Sequence, residues 1–296
     1  MPYLHYQEFI ENVKQHIKQE LQLQVHIYPV LKNNDTVFDG LVILDPVLNI
    51  SPTIYLNPYF GRYLDGVPLE DIYEDILNTY QKYLPQEDFD ISFFCDYEKA
   101  QDHIIMKLVN AGRNKELLKQ VPHILVYDLA LIFLCSVGNF TSEFSTILIQ
   151  NPHLEHWNIS VEDLYEKAQA NTPRLLTPRL DNLHDVFEHI TNEDLSFLDE
   201  LNCSILTNHL KIHGATVMVY PNLLREIAET YEDDLIIVPS SIHETLVIPS
   251  KNFPPNHSIE QLNSMIQEVN ETHLLDTEVL ADHIYYYHRE QMEVTY

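Results

Sequence analysis

Apolar residues recur at helical spacing in several parts of the chain. In YQEFIENVKQHIKQEL, Ile10, Val13, Ile17 and Leu21 fall on one face, which predicts an amphipathic helix. Similar spacing predicts later helices around residues 69–80, 160–168, 183–190, 223–231 and 258–269. Ser160 and Ser258 each stand at the start of a predicted capping box. The last of these helices carries the apolar residues Ile259, Leu262, Met265, Ile266 and Val269.

Strand-like runs, rich in branched residues, lie between these helices. LQVHIYPVLKNNDTVFDGLVIL predicts a hairpin, because the turn Asn33-Asn34-Asp35 suits left-handed backbone. Further strands are predicted in NISPTIYLN, DHIIMKLVN, HILVYDLALIFLCSV, FSTILIQN, NCSILTNHL, GATVMVYP, DLIIVP, HETLVIP and HIYYYHRE. The strands come in consecutive groups, which predicts an α+β fold of mainly antiparallel sheets with packed helices.

The element order also predicts two parts of similar size. The first runs helix, three strands, helix, strands, helix, and the second runs strands, helix, strands, helix, strand. Pro173 and Pro178 punctuate the stretch NTPRLLTPRLD between them. We therefore expect one domain over residues 1–172 and a second over residues 173–296.

The charge of the chain is the feature of its composition that says most about possible partners. The 296 residues carry 17 basic and 45 acidic side chains, a net charge of −28. Residues 180–296 hold 4 of the basic and 21 of the acidic ones, a net charge of −17. Such a field repels nucleic acid and anionic membranes and favours a basic protein or peptide as a partner. Simple solubility is the plainer explanation of the same charge.

The cysteines and the first residues of the chain help to predict where in the cell the protein is found. Cys95, Cys135 and Cys203 are odd in number and far apart, in apolar or strand-like settings, so we expect them to be reduced and buried. MPYLHYQEFI lacks the pattern of a signal peptide, and the longest apolar run contains Asp128 and is too short to span a bilayer. These features favour a cytoplasmic location.

Several segments resemble one known family. DGLVI with NISPTIYLN, KLVN with NKELL, PHILVYDLALIF, GATVMVYP with LLREIAE, VPSSIHE, and EVNET with LADHIYYYHRE look like the domain of unknown function 5688 family of gut bacteria. The resemblance spans nearly the whole chain and keeps the motif order. It implies no activity, ligand or partner, because none is established for that family.

The loop in LIIVPSSIHETLVIP contains residue types that catalyse hydrolysis. A Ser-His-acid triad needs the histidine beside the serine and the acid beside the histidine. If HETLVIP is a strand, His243 and Glu244 point to opposite faces, whereas Ser241 and His243 share one. The acid would then come from elsewhere. The alternative is a polar turn whose hydroxyls satisfy backbone groups.

Motifs for metals and nucleotides are absent from the sequence. His243-Glu244 lacks the second histidine of a zinc motif. The pairs His209/His213 and His283/His288 are spacings that 16 scattered histidines are expected to give by chance. No glycine-rich phosphate loop occurs, so no cofactor and no metal are predicted. A basic cluster, Lys107, Arg113, Lys115 and Lys119, is interpreted as a solvated face or as a contact for an acidic surface.

The sequence thus favours a non-enzymatic, strongly acidic cytoplasmic binding protein with a basic protein or peptide partner. The alternative is a hydrolase-type enzyme with a pocket near Ser241 and His243. Consecutive tyrosines at Tyr285, Tyr286 and Tyr287 alternate faces on a strand, so one face is open to packing or to a ligand. The candidate binding residues are Ser240, Ser241, His243, Glu244, Asn270, Asp282 and Tyr286. The sequence does not fix the oligomeric state.

Overall fold

The computed structural model describes residues 4–48, 50–84, 92–137, 145–188, 201–254 and 258–296. Contacts group the chain into two compact units. The first contains residues 1–32 and 36–91, and the second contains residues 33–35 and 92–296. The predicted division after residue 172 falls within the second unit, inside a helix that runs through Pro173 from Val161 to Leu175.

The α-helices begin and end as follows: α1 Tyr6–Leu21, α2 Asn57–Leu64, α3 Leu69–Tyr83, α4 Ser92–Cys95, α5 Tyr97–Ala100, α6 Lys115–Gln120, α7 Asn151–Trp157, α8 Val161–Leu175, α9 Leu183–Glu188, α10 Leu223–Tyr231 and α11 Ile259–His273. Short 3-10 turns cover Asn33–Asp35, Gln101–His103, Gly214–Val219, Ser250–Asn252 and Asp276–Glu278. Ser160 and Ser258 form the predicted capping boxes of α8 and α11.

The strands are β1 Gln24–Leu31, β2 Val37–Leu44, β3 Thr53–Tyr55, β4 Ile104–Asn110, β5 His123–Val126, β6 Leu129–Val137, β7 Ser145–Leu148, β8 Pro178–Asn182, β9 Ser204–Asn208, β10 Leu235–Pro239, β11 Thr245–Pro249, β12 Tyr285–His288 and β13 Glu293–Thr295. Every pairing among them is antiparallel. The predicted α+β class with antiparallel sheets is therefore confirmed.

The first unit is a three-stranded sheet in the order β1-β2-β3, with helices packed on one face. The predicted hairpin forms, since Asn34 and Asp35 take left-handed backbone with φ of 59° and 51°. The first helix also forms where the periodicity predicts it, and its face bearing Val13 and Ile17 is buried. The core is made by Phe9, Val13, Ile17, Leu41, Ile43, Ile54, Leu56, Ile72 and Ile76.

The second unit contains two sheets that share one large core. In the four-stranded sheet, β6 is central and pairs with β4 on one side and with β5 and then β7 on the other. The edge of β4 that lacks a partner strand is buried, and side chains satisfy its backbone: the hydroxyls of Thr172 and Thr216 accept from the N–H groups of Met106 and Leu108, both at 3.0 Å.

The other sheet has six strands in the order β13-β12-β10-β11-β9-β8. Its central strand β10 is buried on both faces, so Leu235 and Ile237 enter the shared core while Ile236 and Val238 join a second cluster. Ile266 of α11 belongs to that second cluster. Helix α11 therefore packs on the outer face of this sheet.

Two predicted strands take a different form. GATVMVYP was expected to be a strand, but Gly214–Val219 is a nearly fully buried 3-10 segment. A short, continuous apolar run has no periodicity that separates a strand from a buried turn, which explains the error. The run HILVYDLALIFLCSV divides into β5 and β6, because Tyr127, with φ of 59°, and Asp128 form a tight turn between them.

The cysteines fit the prediction only in part. Cys135 and Cys203 are buried and free, and burial raises the pKa of these thiols to about 12 and about 11. Cys95 is exposed at the end of α4, so the prediction that all three are buried is wrong for this residue. Its apolar neighbours in the sequence, Phe93 and Phe94, pack on the core instead. Among the described residues, no helix combines the length and apolar character that crossing a bilayer requires.

Of the glycines that the structure describes, Gly214 leaves the least room for a side chain. A Cβ atom placed there would collide with the Thr207 side chain and with the His243 carbonyl, which are joined by a hydrogen bond of 2.8 Å. We expect Gly214→Ala to lower the free energy of unfolding of the second unit by about 2–3 kcal/mol, the usual cost of overpacking. Urea unfolding followed by the fluorescence of the single tryptophan, Trp157, measures this change.

Gly112 offers a matched control in the same unit. The nearest atom to a Cβ placed there is the Asn110 side-chain oxygen at 3.4 Å, an ordinary contact. Gly112→Ala should therefore change the free energy of unfolding by less than about 0.5 kcal/mol. Equal effects of the two substitutions would contradict the packing described for Gly214.

Candidate functional site

The loop between β10 and β11 is a tight turn closed by its own serine. The Ser241 hydroxyl accepts from the backbone N–H of His243 at 3.0 Å, and the Ser241 N–H donates to the Glu244 carbonyl at 3.1 Å. Because β11 begins at Thr245, His243 and Glu244 lie in the turn rather than on a strand. Their predicted placement on opposite strand faces is therefore wrong. Ser241 satisfies a backbone group, as a polar turn requires.

The His243 ring lies in a half-buried position beside an acid from another segment. Its Nδ1 accepts from the backbone N–H of His213 at 3.3 Å, and its Nε2 is 3.9 Å from Glu278 Oε1. Burial lowers the pKa of His243, and the nearby Glu278 carboxylate opposes this only in part. The ring is therefore neutral near pH 7, with its proton on Nε2.

This geometry does not assemble a triad. In the part of the chain that the structure describes, no hydrogen bond joins the Ser241 hydroxyl to the His243 ring. The turn is linked to the segment after α11 by a bond of 2.8 Å from the Ile242 N–H to the Glu278 carbonyl. Ser240 and Glu244 are half-buried beside it. Hydrolysis at this loop stays a prediction.

Asn270 and Asp282, the next two candidates, contact each other. The Asn270 amide donates to the Ala281 carbonyl at 3.0 Å and to Asp282 Oδ1 at 2.9 Å. The other Asp282 oxygen accepts from Arg113 Nη2 at 2.7 Å, so one member of the predicted basic cluster meets an acid of the same unit. Asn270 is only 6% exposed. Its side chain fastens α11 to the segment before β12 and is not open to a ligand.

Tyr286 lies apart from both groups. Its hydroxyl is 3.4 Å from Asp234 Oδ2, and burial raises its pKa. Of the candidate residues, the structure thus joins Ser241 with His243, and Asn270 with Asp282. No contact among the described residues brings those two pairs together with Tyr286 into one site.

Asp128 centres a polar cluster that sequence reasoning missed. The carboxylate accepts from His283 Nε2 at 3.0 Å and from the Tyr285 hydroxyl at 2.6 Å. His283 Nδ1 lies 2.9 Å from the Ile284 carbonyl, so both ring nitrogens face acceptors and the ring is suited to the charged form. The available signal was an aspartate interrupting an apolar run, which marks the turn.

In the folded protein the pKa of His283 is raised and the pKa of Asp128 is lowered. The hydrogen bond to Asp128 raises the pKa of His283, against the opposing effect of burial. Burial alone would raise the pKa of Asp128, but the hydrogen bonds from His283 and Tyr285 outweigh it and lower that pKa. When His283 is protonated, the cluster contains an ion pair between the β5–β6 turn and the residues just before β12.

Metal binding finds no support at these positions. Among the described residues, no group of three or more histidine, cysteine, aspartate or glutamate side chains could hold a metal ion. His209 Nδ1 faces the Thr177 hydroxyl at 3.2 Å, and His288 Nε2 faces the Thr295 hydroxyl at 3.0 Å. These histidines therefore serve local hydrogen bonds.

Helix α11 departs from its predicted amphipathic pattern, because several of its predicted apolar residues are exposed on its outer side. Of its five predicted apolar residues, only Ile266 is buried. Met265 and Val269 are 56% and 46% exposed, and Leu275 just beyond the helix is 66% exposed. Asn270 takes the inward position one turn after Ile266. We use the term α11 surface for Ile259, Glu260, Met265, Glu268, Val269, Glu271 and Leu275, all of which are exposed.

Comparison with known proteins gives one match. The model of a family of unknown function, DUF5688, matches residues 6–289. No curated protein and no solved structure matches the chain.

The Asp128–His283 pair makes stability depend on pH. Because the pKa of His283 is raised on folding, its contribution is complete below the ordinary histidine pKa of about 6.5 and is lost as pH rises through the folded value. We expect His283→Gln to lower the free energy of unfolding by about 1 kcal/mol at a pH of about 5.5, and by clearly less at a pH of about 9.

Urea unfolding across this pH range measures the effect. His273→Gln is the matched control, because His273 is exposed at the end of α11 and its replacement should cost less than that of His283 at a pH of about 5.5. A cost of His283→Gln that does not change with pH would show that the pair carries no charge-dependent stabilisation.

Proposed function

Because the chain belongs to DUF5688, a family of unknown function, we propose a function from its charge and geometry: it is a non-enzymatic binding protein whose partner is a basic protein or peptide. The α11 surface is the proposed contact. One observation carries the proposal: exposed apolar side chains lie on the same helix as carboxylates that form no ion pair with any described residue.

The segment of the chain that contains α11 is rich in acids and has no basic residue. Between Lys251 and Arg289 the chain has no lysine or arginine, but it has the six acids Glu260, Glu268, Glu271, Asp276, Glu278 and Asp282. No ion pair to Glu260, Glu268 or Glu271 occurs among the residues that the structure describes. Uncompensated carboxylates attract a basic partner and speed its association.

The same helix also exposes apolar residues. Met265 and Val269 are four residues apart, so they lie side by side on the helix surface. Methionine is unbranched and polarizable, and it adapts to differently shaped partners. Glu268 lies between them in the chain, which places charge next to the apolar pair. Such a surface is complementary to a segment that carries both basic and apolar side chains.

The hydrolase alternative has one observation in its favour, the Glu278 carboxylate 3.9 Å from the His243 ring. Against it, the Ser241 hydroxyl is engaged with the backbone of its own turn. Ser241→Ala separates the two proposals. A binding protein should lose some stability but keep its partner, whereas a serine hydrolase would lose its activity.

A defined basic peptide tests the proposed contact. An amphipathic helical peptide of lysine and leucine should bind in isothermal titration calorimetry, and an analogue with glutamate in place of lysine should not. Because the attraction is partly electrostatic, affinity should fall between about 50 mM and about 300 mM salt. Absence of binding, or equal binding of both peptides, would contradict the proposal.

Charge reversal on α11 identifies the surface that binds. Glu268→Lys with Glu271→Lys should weaken the lysine–leucine peptide about tenfold, since exposed charge pairs contribute up to about 1 kcal/mol each. Glu162→Lys with Glu166→Lys on α8 is the matched control, because both of those glutamates are also exposed helix residues. If the control pair weakens binding as much as the α11 pair, the effect comes from net charge and not from the α11 surface.

A further inference from the structure

A separate cleft of about 470 Å³ opens on the second unit. It lies where the β5–β6 turn, α8, the start of α10 and the β12–β13 hairpin meet. Its floor consists of side chains that are at most 5% exposed, namely Leu131, Met218, Tyr220, Leu224 and Tyr287. The volume lies within the range of small-ligand sites, roughly 300–1,000 Å³. An apolar floor of this kind suits the apolar part of a ligand.

Two opposite charges stand at the edge of this cleft. They are Arg225 from α10 and Glu293 from β13, the charged side chains among its lining residues. Arg225 Nε donates to Glu229 Oε1 at 2.8 Å. Its two Nη groups make no hydrogen bond to a described residue, so the outer part of the guanidinium fork is open to a carboxylate.

Tyr287 adds a hydroxyl group to the lining of the cleft. The side chain is 5% exposed and lines the cleft, and its hydroxyl makes no hydrogen bond to any residue that the structure describes. Burial raises the pKa of Tyr287, although the charge of Arg225 opposes the shift, so the hydroxyl stays protonated near pH 7. The hydroxyl is not fully buried, so it is accessible to a ligand in the cleft and can donate a hydrogen bond to it.

We propose that this cleft binds a small apolar zwitterion of dipeptide size. The ligand's carboxylate pairs with Arg225 and accepts from the Tyr287 hydroxyl, its ammonium group pairs with Glu293, and its apolar side chains cover the floor. A purely cationic ligand would meet Arg225, and a purely anionic one would meet Glu293. The site is therefore independent of the α11 surface and selects a different class of ligand.

The dipeptide Phe-Leu and two of its derivatives test both charges. Isothermal titration calorimetry should show saturable binding of Phe-Leu at one site per chain. The N-acetyl derivative lacks the ammonium group and the C-terminal amide lacks the carboxylate, so each should bind about tenfold more weakly, as expected for a lost charged hydrogen bond. No binding of Phe-Leu, or equal affinity for all three compounds, would overturn the proposal.

Substitutions assign each charge to its residue. Arg225→Gln should remove the preference for the free acid over the amide, and Glu293→Gln should remove the preference for the free amine over the N-acetyl form. Tyr287→Phe should weaken Phe-Leu a few fold without loss of thermal stability, because the hydroxyl that it removes bonds to no described residue. If Arg225→Gln keeps the full preference for the acid, the carboxylate does not bind there.

Arg289→Gln is the control for these variants. Arg289 lines a neighbouring depression together with Arg225 and Glu229 but does not line the cleft, so its loss should leave Phe-Leu binding unchanged. Urea unfolding confirms that each variant is folded. Binding of the lysine–leucine peptide should be the same in Arg225→Gln and in the unsubstituted protein, which separates failure of this proposal from failure of the proposed function.

Discussion

Polar anchoring of α11 is the constraint on which the proposed binding surface depends. The buried Asn270 amide donates to the Ala281 carbonyl and to Asp282, and Asn263 Oδ1 accepts from the Ile284 N–H at 3.0 Å. Ile266 adds apolar contact with the outer face of the six-stranded sheet. Two asparagines thus take inward positions that apolar residues usually occupy. As a result, Met265 and Val269 remain on the outside.

The distribution of charge reinforces this arrangement. Two of the four basic residues beyond position 180 have charged groups that are bonded locally: Arg225 Nε donates to Glu229, and Lys251 Nζ donates to the Tyr231 carbonyl. The carboxylates on α11 receive no such partner among the described residues. Like charges on a folded surface repel each other, and a basic partner relieves that repulsion. The repulsion among these carboxylates therefore favours binding of a basic partner at α11.

Local signals in the sequence predicted much of the fold. The helix Tyr6–Leu21, the capping boxes at Ser160 and Ser258 and the Asn33–Asp35 turn each depend on residues close together in the chain, so pattern and turn chemistry suffice. The secondary structure of buried apolar runs was harder to predict. Gly214–Val219 is apolar throughout, and its backbone is set by close approach to Thr207 and His243.

The candidate site depended on contacts that a sequence pattern does not encode. His283 and Asp128 are 155 residues apart, and Glu278 reaches His243 only through the fold. Asn270 and Asp282 were selected as binding residues and do contact each other, but they hold α11 in place. Periodicity marked Met265 and Val269 as part of an apolar face. It could not show that an asparagine would replace them in the interior.

Mapping the contact directly by NMR is the most direct test of the proposed binding function. Uniformly ¹⁵N-labelled protein is titrated with the lysine–leucine peptide, and amide shifts are followed residue by residue. We expect the largest changes on α11 and the segment up to Leu275, and only small changes at the β10–β11 turn. Changes concentrated at Ser241 and His243, or spread evenly over all acidic surfaces, would contradict it.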